Sequence, residues 1–277
     1  MEKLAGNDIF EVDKVIRDPD ELKELLNQYI YQFDNFTPEE FNTIRTANEV
    51  ENYSIYFRGH SKVNYRLEST LERYVKSSFS KRINLEKDYI KLKDHYLAYC
   101  KDKLLNISLD GYIILPSDLS EIELWSFGQH YQLKSPLLDW SKSFHIALYF
   151  AFENKEEEDD AQDEDKKYRV IYILTDSLFS DKKIVFEPTR KIGNRIINQK
   201  GVFINKSSFE LENLSKTGII SIKKILISSD LRKEILNYLA SINIDSSTIY
   251  PDLFGKVKNC ERGIDNAIAK INLESQE

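Results

Sequence analysis

An α+β fold, with a central mixed or antiparallel sheet flanked by helices and an N-terminal helical region ahead of it, is the class this sequence predicts. Three observations lead there. Capped amphipathic stretches recur through the first 130 residues, strand-like apolar runs gather between residues 168 and 228, and no regular strand–helix–strand alternation links them. The 277 residues suffice for a real core. The expected organisation is an N-terminal helical segment over 1–50, a main domain over 51–260, and a C-terminal helix or tail over 261–277.

The elements follow in order. "RDPDELKELLNQYIYQF" offers Asp18 as N-cap and Pro19 at the first helical position, with Leu22, Leu25, Leu26 and Ile30 on one face. "TPEEFNTIR" repeats the device with Thr37, Pro38 and Glu40, and predicts a second short helix. "NYSIYFRG" reads as a buried strand. Over 85–104, Leu85, Tyr89, Leu92, Tyr96 and Tyr99 recur at helical spacing and predict a long amphipathic helix whose aromatic stripe is core, with His95 at its surface or boundary. "SEIELWSFGQHY" begins with a capping box, Ser120 and Glu123, and turns Ile122, Trp125 and Tyr131 inward.

"PLLDW" is a short apolar segment, and "SKSFHIALYFAF" is apolar almost all round, as a helix buried mid-fold should be. An acidic stretch, expected to be a mobile loop over 153–167, then interrupts the chain. Beyond it, "YRVIYILTD" predicts a central strand, "KIVFEP" a short one, "RKIGNRIINQ" a helix or turn, and "GVFI" and "IISIKKILI" further strands. "SSDLRKEILNYLASI" predicts a helix capped near Ser228 or Ser229, and "YPDLFGKVKNC" a short last one.

Charge and composition exclude several classes. Residues 153–165 hold nine acids and one lysine, a local −8 that leaves +1 for the remainder against the total of −7. Strong duplex-DNA binding is therefore not expected, and any nucleic-acid contact has to be a local patch. No apolar run approaches a membrane span of about 20 residues, and the N-terminus lacks a leader pattern, so a cytoplasmic protein without membrane association is expected. Cys100 and Cys260 stand apart and four histidines are scattered, which argues against a disulfide framework and against a metal site. Abundant Lys, Ile, Asn and Tyr suggest a bacterium with an AT-rich genome. The phosphate-loop, dinucleotide, nucleophile-elbow and zinc-protease motifs are all missing.

Four clusters set polar side chains in apolar surroundings. Arg58-Gly59-His60 ends a strand: the arginine offers a planar fork for phosphate or carboxylate, and the glycine allows a backbone or a ligand to approach. Gln129-His130-Tyr131 follows the capped helix, with His130 able to act as a base or simply to pack. Asp139, between two leucines and Trp140, needs a partner, and Arg58 is the obvious one, in a pair that is either functional or architectural. Gln199 and Gly201 flank a strand start, as a turn would also require.

In this order the four clusters resemble the FRG domain family, which takes its name from a Phe-Arg-Gly motif, here Phe57-Arg58-Gly59. "QHYQLKSPLLDWSKSFHIALYFAF" is similar to the family's Gln-His-Tyr, Leu-Leu-Asp-Trp and Ala-Leu-x-Phe-Ala blocks, and Arg195, Ile196, Gln199, Gly201 and Phe203 to a third. "YPDLFG" resembles a fourth. Two positions depart from the pattern. Gln132 stands where relatives carry glycine, and Pro136 where they often carry arginine, which implies a site with one positive charge fewer. The resemblance associates the chain with antiphage defence or toxin–antitoxin modules, and hence with a defence partner or antitoxin.

A more remote resemblance links the same elements to mono-ADP-ribosyltransferases and implies a core of that kind with NAD as substrate. Arg58 would hold a phosphate of NAD, with Gly59, His60, Gln129, Tyr131, Asp139, Trp140, Ser141 and Ser143 around the dinucleotide. Arg58, His130 and Gln199 would serve the chemistry. Gln199 occupies the place of the family's acidic motif, so Glu187 or another acid has to supply the carboxylate. The macromolecular target, protein or RNA, stays open. Two alternatives stand beside this reading: a non-catalytic module that senses a nucleotide or a phage component, and a ribonuclease-type toxin using His130 and Arg58.

Overall fold

A computed structural model describes residues 9–30, 53–79, 81–103, 107–109, 112–114, 119–154, 167–177, 184–187 and 194–251. Its framework is a seven-stranded sheet in the order β1-β9-β6-β2-β5-β8-β7. The strands are β1 (Glu11–Ile16), β2 (Tyr53–His60), β5 (Leu138–Ser141), β6 (Tyr168–Ser177), β7 (Val185–Phe186), β8 (Gly201–Ile204) and β9 (Ile220–Ser228). β3 (Ile107–Leu109) and β4 (Tyr112–Ile114) form a separate hairpin ladder. All neighbours in the large sheet are antiparallel except β1, which lies parallel to β9. The sheet is thus mixed, and helices flank it.

Those helices are α1 (Pro19–Ile30), α2 (Thr70–Phe79), α3 (Leu85–Lys103), α4 (Glu121–His130), α5 (Phe144–Phe152), α6 (Asn194–Asn198), α7 (Ser208–Lys216), α8 (Arg232–Ser241) and α9 (Ser246–Ile249). β6 shows why the sheet needs cover on both sides. Ile171 and Ile173 enter one apolar cluster with α1, α5 and α8, while Val170, Tyr172 and Leu174 enter another with Trp140, Val202 and Leu211. A strand buried on both faces reads as continuous apolar sequence, as "VIYIL" does. α5 is the most buried helix: Ala147, Leu148, Tyr149, Ala151 and Phe152 are all inaccessible to solvent.

Local chemistry explains the ends of elements. Asp18 Oδ1 accepts from the Asp20 and Glu21 amides at 3.0 and 2.9 Å, capping α1 as its sequence requires. Ser120 and Glu123 close a reciprocal box on α4. Ser228 caps a short 3-10 turn, Ser229–Leu231, that leads into α8.

Several expectations need correction. The N-terminal segment, expected to be helical, also supplies β1, whose polar-rich "EVDKVI" hides an edge strand. Tyr99 and Tyr131 are each 61% exposed instead of turned into the core, because the buried face of α3 continues from Tyr96 to Cys100 and leaves Tyr99 outside it, and Tyr131 lies past the end of α4. "PLLDW" contains a strand, β5, and α2, α7 and α9 arise from stretches in which no element was expected. The second N-terminal helix, nearly all of the acidic loop and the segment from Asp252 to the end lie outside the described residues.

Candidate functional site

β2 and β5 share only one registered pair, Phe57 with Ser141. Side chains alternate along β2, so Phe57 and Gly59 face α5 while Arg58 and His60 share the opposite side. Phe57 stacks edge-on against Phe144 at 5.5 Å. A Cβ on Gly59 would lie 1.9 Å from the Ala147 carbonyl oxygen, so this glycine exists to let α5 sit directly on the strand. Arg58 Nη1 donates to the main-chain carbonyl of Asp139, joining the two strands in place of a further ladder bond.

The guanidinium is held from a second direction. Its Nε donates to His60 Nε2 at 2.9 Å, which leaves His60 Nδ1 to donate to the Tyr65 carbonyl at 3.2 Å. That pattern requires the neutral imidazole with the proton on Nδ1. Burial, reinforced by the Arg58 charge, holds the His60 pKa well below its ordinary value and keeps the ring neutral. The Tyr172 hydroxyl donates to the same Tyr65 carbonyl at 3.1 Å, and its ring lies 5.1 Å from the imidazole. Burial also lowers Arg58 from its ordinary value, with the Asp139 charge opposing, and the guanidinium remains a cation.

Asp139 is not closed off by Arg58, contrary to the simplest reading of the sequence. Its Oδ2 accepts from Gln129 Nε2 at 2.5 Å, and no ion pair joins the carboxylate to the guanidinium. The side chain is exposed on a cleft, and partial desolvation there raises its pKa against the opposing Arg58 charge and Gln129 bond. Arg58 Nη2 has no hydrogen-bond partner among the described residues. Two buried atoms on the same walls, Gln129 Oε1 and Trp140 Nε1, also lack a partner.

The cleft measures about 810 Å³, within the range of small-molecule sites. It gathers Arg58, Gly59, His60, Gln129, Asp139 and Trp140, and also Ser141 and Gln199. Ser141 Oγ donates to the Gln199 carbonyl at 2.8 Å and accepts from the Ser143 amide at 3.0 Å, fixing the turn into α5. Gln199 Nε2 donates to the Ile249 carbonyl at 3.3 Å. Tyr131 and Ser143 are not among the lining residues, and the His130 side chain lies outside the described residues. Glu187 does not reach the cleft: it pairs with Lys142 Nζ at 2.6 Å on the surface.

Spacing alone did not reveal the rest of the lining. Arg66, Arg73 and Arg195 join Arg58 to make four arginines, against Glu68, Asp139 and Glu153. Four arginines thus line the cleft of a chain that has Pro136 where relatives are expected to carry arginine. Glu68 pairs with Lys76 at 2.7 Å, and both Glu153 oxygens accept from the Tyr250 hydroxyl at 3.1 Å, while the Arg195 guanidinium lies over the Tyr250 ring at 5.2 Å. The signals were present for Arg195, inside a motif block, and for the basic run after His60.

No group of three or more His, Cys, Asp or Glu among the described residues could hold a metal ion, and no described helix is long and apolar enough to cross a membrane. What the arrangement offers is anion recognition by a fixed guanidinium beside a raised-pKa carboxylate. Comparison with known families supports the first three clusters: the family model for the FRG domain matches residues 53–160. The match begins with β2 and ends beyond α5, so it spans Arg58, Gln129 and Asp139 together. An FRG domain is thus present over residues 53–160. Searches among curated proteins and among solved structures found no match.

Proposed function

We propose that the cleft binds NAD, with Arg58 on its pyrophosphate, and that the protein is an ADP-ribosyltransferase-like enzyme that modifies a macromolecule or consumes the dinucleotide. One observation carries this reading. Arg58 is oriented from two sides by uncharged groups, the neutral His60 and the Asp139 carbonyl, so its charge is positioned without being cancelled by a bonded carboxylate. In the reaction the bond from ribose C1′ to the nicotinamide nitrogen breaks, and nicotinamide leaves with the bonding pair. A nucleophile from the target or water bonds to C1′ and loses a proton. Asp139, with its carboxylate on the cleft, is the acid we assign to stabilise the cationic ribose, in place of Glu187.

Incubation with NAD labelled in its adenylate half tests this. Label transfer to cell extract or nicotinamide release is expected, falling about 100-fold or more in Arg58→Ala and clearly in Asp139→Asn. Neither product from folded protein would sink the enzyme reading. Asp139→Asn working at the wild-type rate would remove that residue from the chemistry. The setting we propose is bacterial antiphage defence or a toxin–antitoxin pair, and growth arrest on expression, relieved by Arg58→Ala, is its expected sign.

A second reading, a sensing module without turnover, has its own support. Gln199 at the acidic motif's place spends its amide on Ile249, and Glu68 and Glu153 are both engaged by neighbours. Calorimetric NAD binding that depends on Arg58 and yields no nicotinamide would favour it.

A further inference from the structure

Residues 61–82, which follow the Arg58-Gly59-His60 strand end, carry six basic and two acidic residues in a chain whose net charge is −7. Both acids are occupied. Glu72 is fully buried and accepts from the Ser208 amide and hydroxyl and from Lys76 Nζ; Glu68 pairs with Lys76. Arg66, Arg73 and Arg82 remain exposed, and the first two line the cleft.

Aromatic rings pair with cations in two groups, one on α2 and one beside the cleft. The Arg82 guanidinium lies 6.0 Å from the Phe79 ring, Phe79 meets Tyr74 edge-on at 5.7 Å, and Lys134 Nζ lies 5.9 Å from the Tyr74 ring. At the cleft mouth Lys62 Nζ lies 5.8 Å from the ring of Tyr65. Tyr65 and Tyr74 are 48% and 45% exposed. Single exposed tyrosines are ordinary on a protein surface. Two exposed tyrosines, each beside a lysine, with Arg66 and Arg73 between them in sequence on the cleft lining, are a different feature, because each offers a stacking face beside charges that can meet a phosphate.

We propose that this strip binds single-stranded nucleic acid and leads it to the cleft. Unpaired bases stack on exposed aromatic faces with little regard to sequence, and the arginines and lysines follow the phosphodiester backbone. A duplex keeps its bases stacked on each other and gains nothing from the tyrosines. The strip stands apart from the NAD reading: Tyr74, Phe79, Arg82 and Lys134 are outside the cleft lining, so replacing them tests strand binding and leaves the Arg58 site in place.

The experiment is fluorescence anisotropy on the full chain, without NAD. The probes are labelled oligouridine and oligothymidine of about 15 nucleotides and a duplex of equal length, titrated between about 50 and 300 mM salt. Both single strands are expected to bind, with affinity falling steeply as salt rises. Tyr74→Ala should weaken binding about tenfold. Arg82→Glu and Lys134→Glu should each lower the salt slope by about 0.7. A preference for the ribose or the deoxyribose strand supports the proposal and identifies the sugar it favours. Three results overturn it: no binding at the lowest salt, duplex bound as tightly as single strands, or Tyr74→Ala and Lys134→Glu binding like the parent. Polyglutamate bound in preference to the oligonucleotides also overturns it, in favour of an acidic protein partner.

Discussion

Replacing Gly59 by alanine isolates the packing role of the Phe-Arg-Gly glycine. The added Cβ would meet the Ala147 carbonyl oxygen at 1.9 Å and the Ala151 amide nitrogen at 2.7 Å, both main-chain atoms of α5. Relief to a tolerable contact needs the helix to lift by about 1 Å, and α5 has no slack because its residues from Ala147 to Tyr149 are wholly buried. Gly59 is not in the left-handed region, so the alanine brings no backbone strain of its own, and its cost is overpacking alone. Overpacking costs about 1–3 kcal/mol and occasionally more, and a rigid main-chain clash belongs at the upper end, about 3 kcal/mol. With a urea dependence of about 3 kcal/mol per molar for a chain of this size, the unfolding midpoint should fall by about 1 M. A midpoint within about 0.2 M of the parent would refute the reasoning, and would mean that the glycine serves something other than its contact with α5.

Two further outcomes are expected. Unfolded His60 takes up a proton near 6.5 while the folded ring resists it, so stability should fall as pH drops below 6.5, by up to about 1.4 kcal/mol per unit. Chemical denaturation at stepped pH should show this slope in the parent and a flatter one in His60→Gln, whose amide can serve both neighbours. Equal slopes would count against a neutral His60. Gln132 sits at φ 66°, in the left-handed region, where relatives are expected to carry glycine; Gln132→Gly should therefore stabilise by about 1 kcal/mol. A melting temperature raised by about 2–4 °C would show it, and an unchanged or lower one would contradict it.

Motifs that act locally were legible in the sequence. The Asp18 and Ser120 caps, the all-apolar α5 and the doubly buried β6 each follow from residues within one or two turns of each other. The cleft was legible only where clusters carried it. Arg58, Gln129 and Asp139 announced themselves as polar groups in apolar sequence, yet the wiring between them did not: Arg58 takes the Asp139 carbonyl and leaves the carboxylate to Gln129. Arg73 and Glu153 stayed hidden because nothing in a helix start or a helix end marks which side chain will face a gap between strands. β1 stayed hidden for another reason. An edge strand buries one face only, and half of "EVDKVI" is polar.

The position of β1 also bears on when the protein becomes complete. Glu11 pairs with Lys223, so the first strand made finds its neighbour only after 212 further residues. At about 5–20 residues per second, translation leaves it waiting roughly 10–40 s. Gln199 and Tyr250, which finish the cleft wall, arrive in the same late stretch. A nascent chain therefore has Arg58 in hand and no pocket to use it in. The wall opposite Arg58 is thus among the last parts of the described fold to be made, and Arg58 among the first.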